Sequence, residues 1–305
     1  MTQNSARVYP HPKSTTTSAA LTTMRLPDWI RTKSFSGLHT TKQLLRSHGL
    51  STVCEEARCP NIGTCFSKPT ATFMILGSRC TRNCGFCSVD QASQELPGPL
   101  DTEEPRRVAL AALAMGLKYV VITSVTRDDL SDGGAQHFAR TVRAIRSCLP
   151  ESGIEVLTPD FKGNGEALKT VLDSRPDVFN HNVETVPRLY PLVRPQAEFA
   201  RSLKLLRYAR EIAPLVRTKS GLMLGLGETD DEIVSVLKSL RTAGCDYLTI
   251  GQYLRPSAKN LPVVRYVPPD AFERYGDLAL SLGFKAVASA PLVRSSMNAE
   301  KMFLR

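Results

Sequence analysis

The chain has 305 residues and is 42% hydrophobic, enough to bury a full core as one large domain, with or without extensions. Charged residues make up 22%, so the chain as a whole is not of disordered composition, and no apolar run reaches the roughly 18–20 residues that a membrane span needs. The net charge of +10 favours an acidic partner, but Lys and Arg are scattered rather than gathered into a basic tract, so the expectation is a dispersed solvated surface with no nucleic acid and no membrane bound.

Residues 1–24 hold Ser and Thr runs, Arg7 and Lys13, and no acidic residue. That composition fits a targeting segment, a disordered tail, or an over-long start before Met24. The expected location is the cytoplasm, or a mitochondrion or plastid if residues 1–23 are a transit peptide. Residues 25–70 read as an N-terminal extension, with a short helix over 41–47 and otherwise cysteine-bearing loop. Then an alternation begins. Strands are predicted over 73–76, 119–123, 155–157, 178–180, 221–225, 247–250 and 286–288. Helices are predicted over 104–115, 135–146, 165–172, 202–212, 230–242 and 269–281. Such alternation means parallel βα units. The strands are short apolar runs without polar alternation, as expected when both faces are covered. The polar segments 124–134, 181–184 and 225–228 each follow a strand, which puts them on the active face of a parallel α/β barrel. Pattern alone leaves a closed barrel and an open sheet undecided.

Six of the eight cysteines fall between positions 54 and 87. Cys148 and Cys245 stand alone in helix-like stretches and read as buried small hydrophobes. A disulfide scaffold would be a small secreted chain, so the cluster points to metal in a reducing compartment. Cys80-x3-Cys84-x2-Cys87 lies in the loop after the first strand. Three thiolates this close suit three irons of a [4Fe–4S] cluster with the fourth iron open, because a structural zinc site wants four ligands and no fourth Cys or His follows nearby. With Phe86 just before its last cysteine, this triplet resembles the radical S-adenosylmethionine (SAM) signature.

The first triplet, Cys54-x4-Cys59-x5-Cys65, precedes the second by 15 residues. The pair resembles the auxiliary-cluster and radical-cluster motifs of the lipoyl synthase family. The likeness continues through Arg127-Asp128-Asp129-Leu130, Asp132-Gly133-Gly134-Ala135-Gln136-His137, Asn180-His181-Asn182, Gly251-Gln252-Tyr253 and the segments 26–29, 71–76, 121–125, 202–204, 218–223 and 225–228. Val293-Arg294-Ser295-Ser296-Met297 resembles the family's Arg-Ser-Ser-Tyr motif, whose serine ligates the auxiliary cluster. Alignment assigns that role to Ser296, with Ser295 the close alternative, and Met297 stands where the family has Tyr.

The resemblance implies a partial (β/α)6-type TIM barrel over 71–290, with extensions at 25–70 and 291–305 that carry the auxiliary site. It implies two [4Fe–4S] clusters and SAM, and a sulfurtransferase that inserts sulfur at C6 and C8 of an octanoyl group on a carrier-protein lysine. The auxiliary cluster would be the sacrificial sulfur donor. Implied partners are octanoylated carriers (acidic lipoyl domains or the glycine cleavage H protein), a low-potential electron donor and iron–sulfur assembly proteins. The rivals are another sulfur-inserting radical enzyme, biotin synthase-like or a methylthiotransferase, and a basic cysteine-rich iron–sulfur carrier.

Further residues carry both a structural and a functional reading. Gly133 and Gly134 form a turn, or let backbone groups meet the methionine amino group of SAM. Asn182 and Glu184 cap a loop, or bind the ribose. Lys204 and Arg217 are solvated charges, or pair with the methionine carboxylate. Gly225-Leu226-Gly227-Glu228 opens a helix and suits an anionic or polar ligand. Phe86 is expected beside the cofactor, while His137 and His181 read as satisfied structural histidines.

Overall fold

In the computed structural model, which describes residues 25–30, 38–66, 70–92 and 97–303, the apolar runs pair side by side into one eight-stranded sheet. Residues 1–24, expected to be a disordered tail or targeting segment, lie outside the described residues. Four short elements precede the barrel: α1 (Leu38–Ser47), β1 (Ser51–Thr52), α2 (Val53–Glu56) and α3 (Ile62–Phe66). Then come β2 (Thr72–Ile75) and the two-residue strands β3 (Arg79–Cys80) and β4 (Asp90–Gln91), which pair with each other. The alternation follows as α4 (Glu104–Ala114), β5 (Tyr119–Ser124), α5 (Ala135–Cys148), β6 (Gly153–Leu157), α6 (Gly165–Leu172) and β7 (Val178–Asn180). It continues with α7 (Tyr190–Val193), α8 (Phe199–Ile212), β8 (Arg217–Leu224), α9 (Asp230–Thr242), β9 (Tyr247–Gln252), α10 (Pro269–Ser281), β10 (Ala286–Ser289) and α11 (Ala299–Phe303).

The sheet order is β1-β2-β5-β6-β7-β8-β9-β10, parallel throughout except for β1 against β2. Six βα units and a last strand make the expected partial barrel. The edge strands β1 and β10 do not pair with each other among the described residues, so the sheet is open. Strands β2 and β9 are buried along their whole length, because the helices cover one face and the barrel interior the other. Neighbouring helices pack in sequence, α4 on α5, α5 on α6, α6 on α8. In α5 the buried Ala135, Phe138, Ala139, Val142 and Ile145 recur every three or four residues, which turns one stripe to the sheet. Asn164 caps α6 by accepting from the Glu166 and Ala167 amides, and Thr229 with Glu232 forms a capping box on α9.

Two segments differ from expectation. Strand β8 starts at Arg217 rather than at 221, although Thr218, Lys219 and Ser220 are polar. Lys219 is 0% exposed inside the barrel, where its Nζ lies 2.9 and 3.0 Å from the Glu155 carboxylate oxygens. Glu155 also accepts from Tyr119 Oη and Asn180 Nδ2, so the buried charge pair is hydrogen-bonded on every side, the condition under which such a pair is tolerated. The first cysteine region is partly helical rather than loop: Cys54 lies in α2 and Cys65 in α3.

Candidate functional site: two cysteine triplets at opposite ends of one strand

The two triplets sit at the two ends of β2. The second occupies the loop that leaves its carboxyl end. The first lines a cavity with Thr70, Ala71 and Thr72, which lead into its amino end. From Thr72 to Ile75 the strand spans about 10 Å at roughly 3.3 Å per residue. No disulfide links any of the cysteines.

The radical-type loop is held from three sides. The Cys80 thiol accepts from the Thr126 amide at 3.3 Å, and Thr81 bonds to Thr126 O through both its amide and its hydroxyl. Arg82, between two of the cysteines, is buried and fastened to Asp128 (2.7 and 3.0 Å) and Asp160 (2.6 Å), so the loop is tied to the ends of β5 and β6. On the far side the Gly85 amide donates to Val193 O, Leu261 N donates to Gly85 O, and Asn260 Nδ2 donates to Cys87 O at 2.7 Å. A Cβ on Gly85 would stand 2.9 Å from Leu261 and 3.1 Å from the Leu192 carbonyl, so only glycine lets the loop lie this close. Phe86 is half-buried against the core between Gly85 and Cys87.

Burial pushes the Cys87 thiol up to about 12 and raises Cys84 as well; Cys84 and Cys80 add to the rise at Cys87, and Cys80 to that at Cys84. Glu184 lies close enough to add to both shifts, while the buried Arg194 opposes the shift at Cys84. Burial raises the Glu184 carboxyl itself, against the Arg194 charge. Asn182 Nδ2 donates to Glu184 Oε1 at 3.0 Å. Asn182 and Glu184 thus meet the second triplet at the end of β7.

The first triplet behaves alike. Burial lifts the Cys54 thiol to about 12, with Cys59 and Cys65 adding to the rise. The cavity they line is closed by Asn61, Arg294, Ser296 and Met297. Ser296 faces the thiols there. Ser295 does not line that cavity; its hydroxyl donates to Asn182 Oδ1 (3.0 Å) and accepts from Asn180 Nδ2 (2.8 Å). Met297 Sδ is 3.3 Å from Asn61 Nδ2, so the residue in the family's Tyr position touches the first cysteine loop.

Among the described residues no three His, Cys, Asp or Glu side chains are grouped to hold a single metal ion. A [4Fe–4S] cube asks for something else, one thiolate on each of several irons, and that is what two sets of three mutually interacting thiols offer. Raised thiols also suit this role, since a bound metal stabilises the thiolate that burial disfavours.

Several residues do not sit where the expectation put them. Lys204 is exposed on α8, on the side opposite the buried Ser202, Leu205, Leu206 and Ala209. Arg217 opens β8 at the amino-terminal end of the barrel and hydrogen-bonds Tyr247, which opens β9. Arg217 therefore lies at the end of the barrel opposite to the loop that carries the second triplet. Arg194 is buried beside the second triplet, close enough for its charge to act on Cys84 and Glu184; it donates to Asn182 O and Val183 O, and its Nε finds no acceptor among the described residues. Sequence reading missed it because nothing local marks it; it reaches the site from the residue after α7. The 225–228 loop is not open to an anion either: the buried Glu228 carboxylate accepts from the amides of Gly225 and Leu226. Gly133 and Gly134, at φ 60° and 90°, have their amides bonded to Leu130 O and Asp132 Oδ1, and a Cβ on Gly134 would strike Leu76 at 2.4 Å. Conformation and packing explain why both positions are glycine, and a donor such as an amino group would be met by their carbonyls rather than by these amides. His137 bonds Glu104, and His181 bonds Thr158 O and Ser202, as structural histidines do. Cys245 is buried, whereas Cys148 is half-buried at the end of α5.

Residues 74–251, from within β2 to near the end of β9, match the radical SAM superfamily. A lipoyl synthase of Caldanaerobacter subterraneus subsp. tengcongensis is 55% identical over 279 residues, covering 91% of this chain and 97% of that one. One from Alkaliphilus metalliredigens is 57% identical over 277 residues, covering 90% and 94%. The chain belongs to the lipoyl synthase family. Among solved structures it resembles HydG, a maturase of the [FeFe]-hydrogenase (TM-score 0.54, 14% identity, 75% of this chain and 61% of that one). It also resembles Streptococcus suis SuiB bound to S-adenosylmethionine (0.52, 11%, 72% and 50%), so it spans about half of that chain. At such identities the likeness is one of fold alone. Lipoyl synthases are sulfurtransferases of the radical SAM superfamily, and membership brings a [4Fe–4S] cluster and SAM. No helix among the described residues is long and apolar enough to cross a membrane.

Proposed function

We propose that this chain inserts two sulfur atoms, at C6 and C8, into an octanoyl group carried on a lysine of a carrier protein. The observation that carries the reading is the pairing of two cysteine triplets across β2, the first of them faced by Ser296. Cys80, Cys84 and Cys87 would hold three irons of the radical cluster, leaving the fourth for SAM. Cys54, Cys59, Cys65 and Ser296 would hold the auxiliary cluster. When bound, these groups supply one-electron cleavage of SAM, hydrogen abstraction from unactivated carbon, and the sulfide taken up.

The chain's own residues bind, orient and exclude water. Arg194 takes the methionine carboxylate in place of Lys204 or Arg217, and Asn182 and Glu184 hold the polar part of the nucleoside. The radical loop is fixed by Arg82 and Asn260, which keeps the cofactor's reacting end in one place, the condition for near-attack geometry. A serine ligand suits a cluster that is consumed, since a protonated alkoxide leaves more readily than a thiolate. Acidic octanoylated carriers fit the net charge of +10. A low-potential electron donor and iron–sulfur assembly proteins complete the set of partners.

The test is Cys59→Ala. The variant is expected to retain about half of the parent's roughly eight irons, to cleave SAM under dithionite, and to form no thiolated product. Loss of both clusters together would point to one shared metal site and sink the reading.

A further inference from the structure

The segment after β10 crosses from one end of the barrel to the other. It begins at the carboxyl end of β10. It ends in α11, whose Met302 packs on Val178, Tyr247 and Ala286, the first residues of β7, β9 and β10. At its start the Ala290 amide donates to Ile250 O and the Pro291 carbonyl accepts from the Gln252 amide, both at 3.1 Å, which holds it to β9. Asn61 Nδ2 donates to Leu292 O at 2.6 Å, which ties the segment to the first cysteine loop. Ser295 Oγ ties it to the barrel through Asn180 and Asn182. Gly251 in β9 makes room: a Cβ there would lie 2.1 Å from the Val293 carbonyl oxygen, although its φ is not in the left-handed region.

Ser295 stands where two networks meet. Asn180 Nδ2 is shared between Ser295 and Glu155, the carboxylate of the buried Lys219 pair. Asn182 Oδ1 accepts from Ser295, while its Nδ2 goes to Glu184, beside the second triplet. The hydroxyl is thus the single link between the segment carrying Ser296 and the barrel-wall residues at the other site.

We propose that Ser295 is a positioning residue, a latch that holds Ser296 against the first triplet and orients Asn182 and Glu184 at the second. The proposal rests on the two-site reading above. A hydroxyl that both donates and accepts is needed: one asparagine presents its amide nitrogen and the other its oxygen, and alanine answers neither. Without it the stretch beyond Pro291 is fixed by the bonds of Ala290 and Pro291 to β9 at its start, by Asn61 and by α11 at its end, and it opens more often while the barrel, built on its own core, does not.

The experiment compares reconstituted full-length parent, Ser295→Ala, Ser295→Thr and Gly251→Ala by amide hydrogen exchange and by the rate of iron loss to a chelator. In Ser295→Ala, residues 290–298 should exchange about tenfold faster, the size of one lost buried hydrogen bond. The barrel strands should exchange at the parent rate. About half of the iron should leave faster, and the rest at the parent rate. Ser295→Thr, which keeps the hydroxyl, should stay near the parent, and Gly251→Ala should reproduce Ser295→Ala by wedging the segment off β9. Unchanged exchange at 290–298 in Ser295→Ala would overturn the latch, and so would faster exchange of the barrel strands, which marks a merely structural role. If the parent itself held only about four irons, the two-cluster reading would fail, while the exchange comparison would still decide the latch.

Discussion

Arg82 is the residue whose removal has the largest consequence that the structure allows to be sized. It lies between Cys80 and Cys84 and donates to Asp160, a fully buried carboxylate, and to Asp128, which is partly exposed. Burial alone would raise the Asp160 carboxyl. The hydrogen bond and charge of Arg82 outweigh it and hold the group well below the usual carboxylate range. Arg82→Met keeps the bulk and removes the charge. Breaking a buried pair costs about 3–5 kcal/mol, because the orphaned charge stays inside. Asp160 keeps Arg201 Nη1 at 3.2 Å and the Lys162 amide at 3.1 Å, so about 3 kcal/mol is expected, and Asp128, which water can partly solvate, adds less. For a chain this long, with an unfolding entropy of roughly 2.1 cal/mol/K per residue, that is a fall in melting temperature of about 5 °C. The pH dependence has a definite sign. In the parent, Asp160 is depressed in the folded state, so its contribution is full above the unfolded carboxylate pKa and fades as pH falls through the folded one. In the variant, burial is less opposed, and the cost is largest at neutral pH and shrinks as acid protonates Asp160. Urea unfolding of parent and variant across pH measures both. A variant within about 0.5 kcal/mol of the parent at pH 7, or a gap that widens in acid, would refute the reasoning.

Arg194→Gln should weaken SAM binding by about tenfold or more through loss of a charge-assisted hydrogen bond, whereas Lys204→Ala should leave it unchanged; equilibrium binding to the reconstituted protein separates them. Cys84→Ala should abolish SAM cleavage, read as 5′-deoxyadenosine released under dithionite, and parent-level release would contradict the role of the second triplet. Affinity for an octanoylated acidic carrier should fall as salt rises, because screening cuts the reach of surface charge to about 10 Å at 0.1 M; an affinity indifferent to salt would show that the excess of Lys and Arg is incidental.

The barrel was largely legible in the sequence because its strands are unbroken apolar runs. Phe73, Val120, Ile122, Val156, Phe179, Leu248 and Ile250 are all buried within the strands expected to hold them. The start of β8 was hidden because a buried lysine reads as a surface residue until its carboxylate partner, 64 positions away, is known. The cysteine triplets were legible because their ligands are neighbours in the chain. Arg194, Arg294 and Asn61 were not, since each gains its place from residues far off in sequence. Lys204 and Arg217 were misplaced for a related reason: which side of a helix, or which end of a strand, faces the site is a property of the packed fold. That Ser296 lines the cavity of the first triplet while Ser295 bonds Asn180 and Asn182 is likewise a property of packing that two adjacent serines do not show in the sequence.

The central claim is that this chain puts sulfur into unactivated carbon of a carrier-bound octanoyl chain. Mass spectrometry of an octanoylated carrier peptide after anaerobic turnover with SAM and dithionite tests it most directly. The account predicts a product heavier by two sulfur atoms, with a one-sulfur intermediate before it, and neither product in Cys59→Ala. An octanoyl peptide that returns unchanged while 5′-deoxyadenosine accumulates, or thiolation that persists in Cys59→Ala, would contradict it.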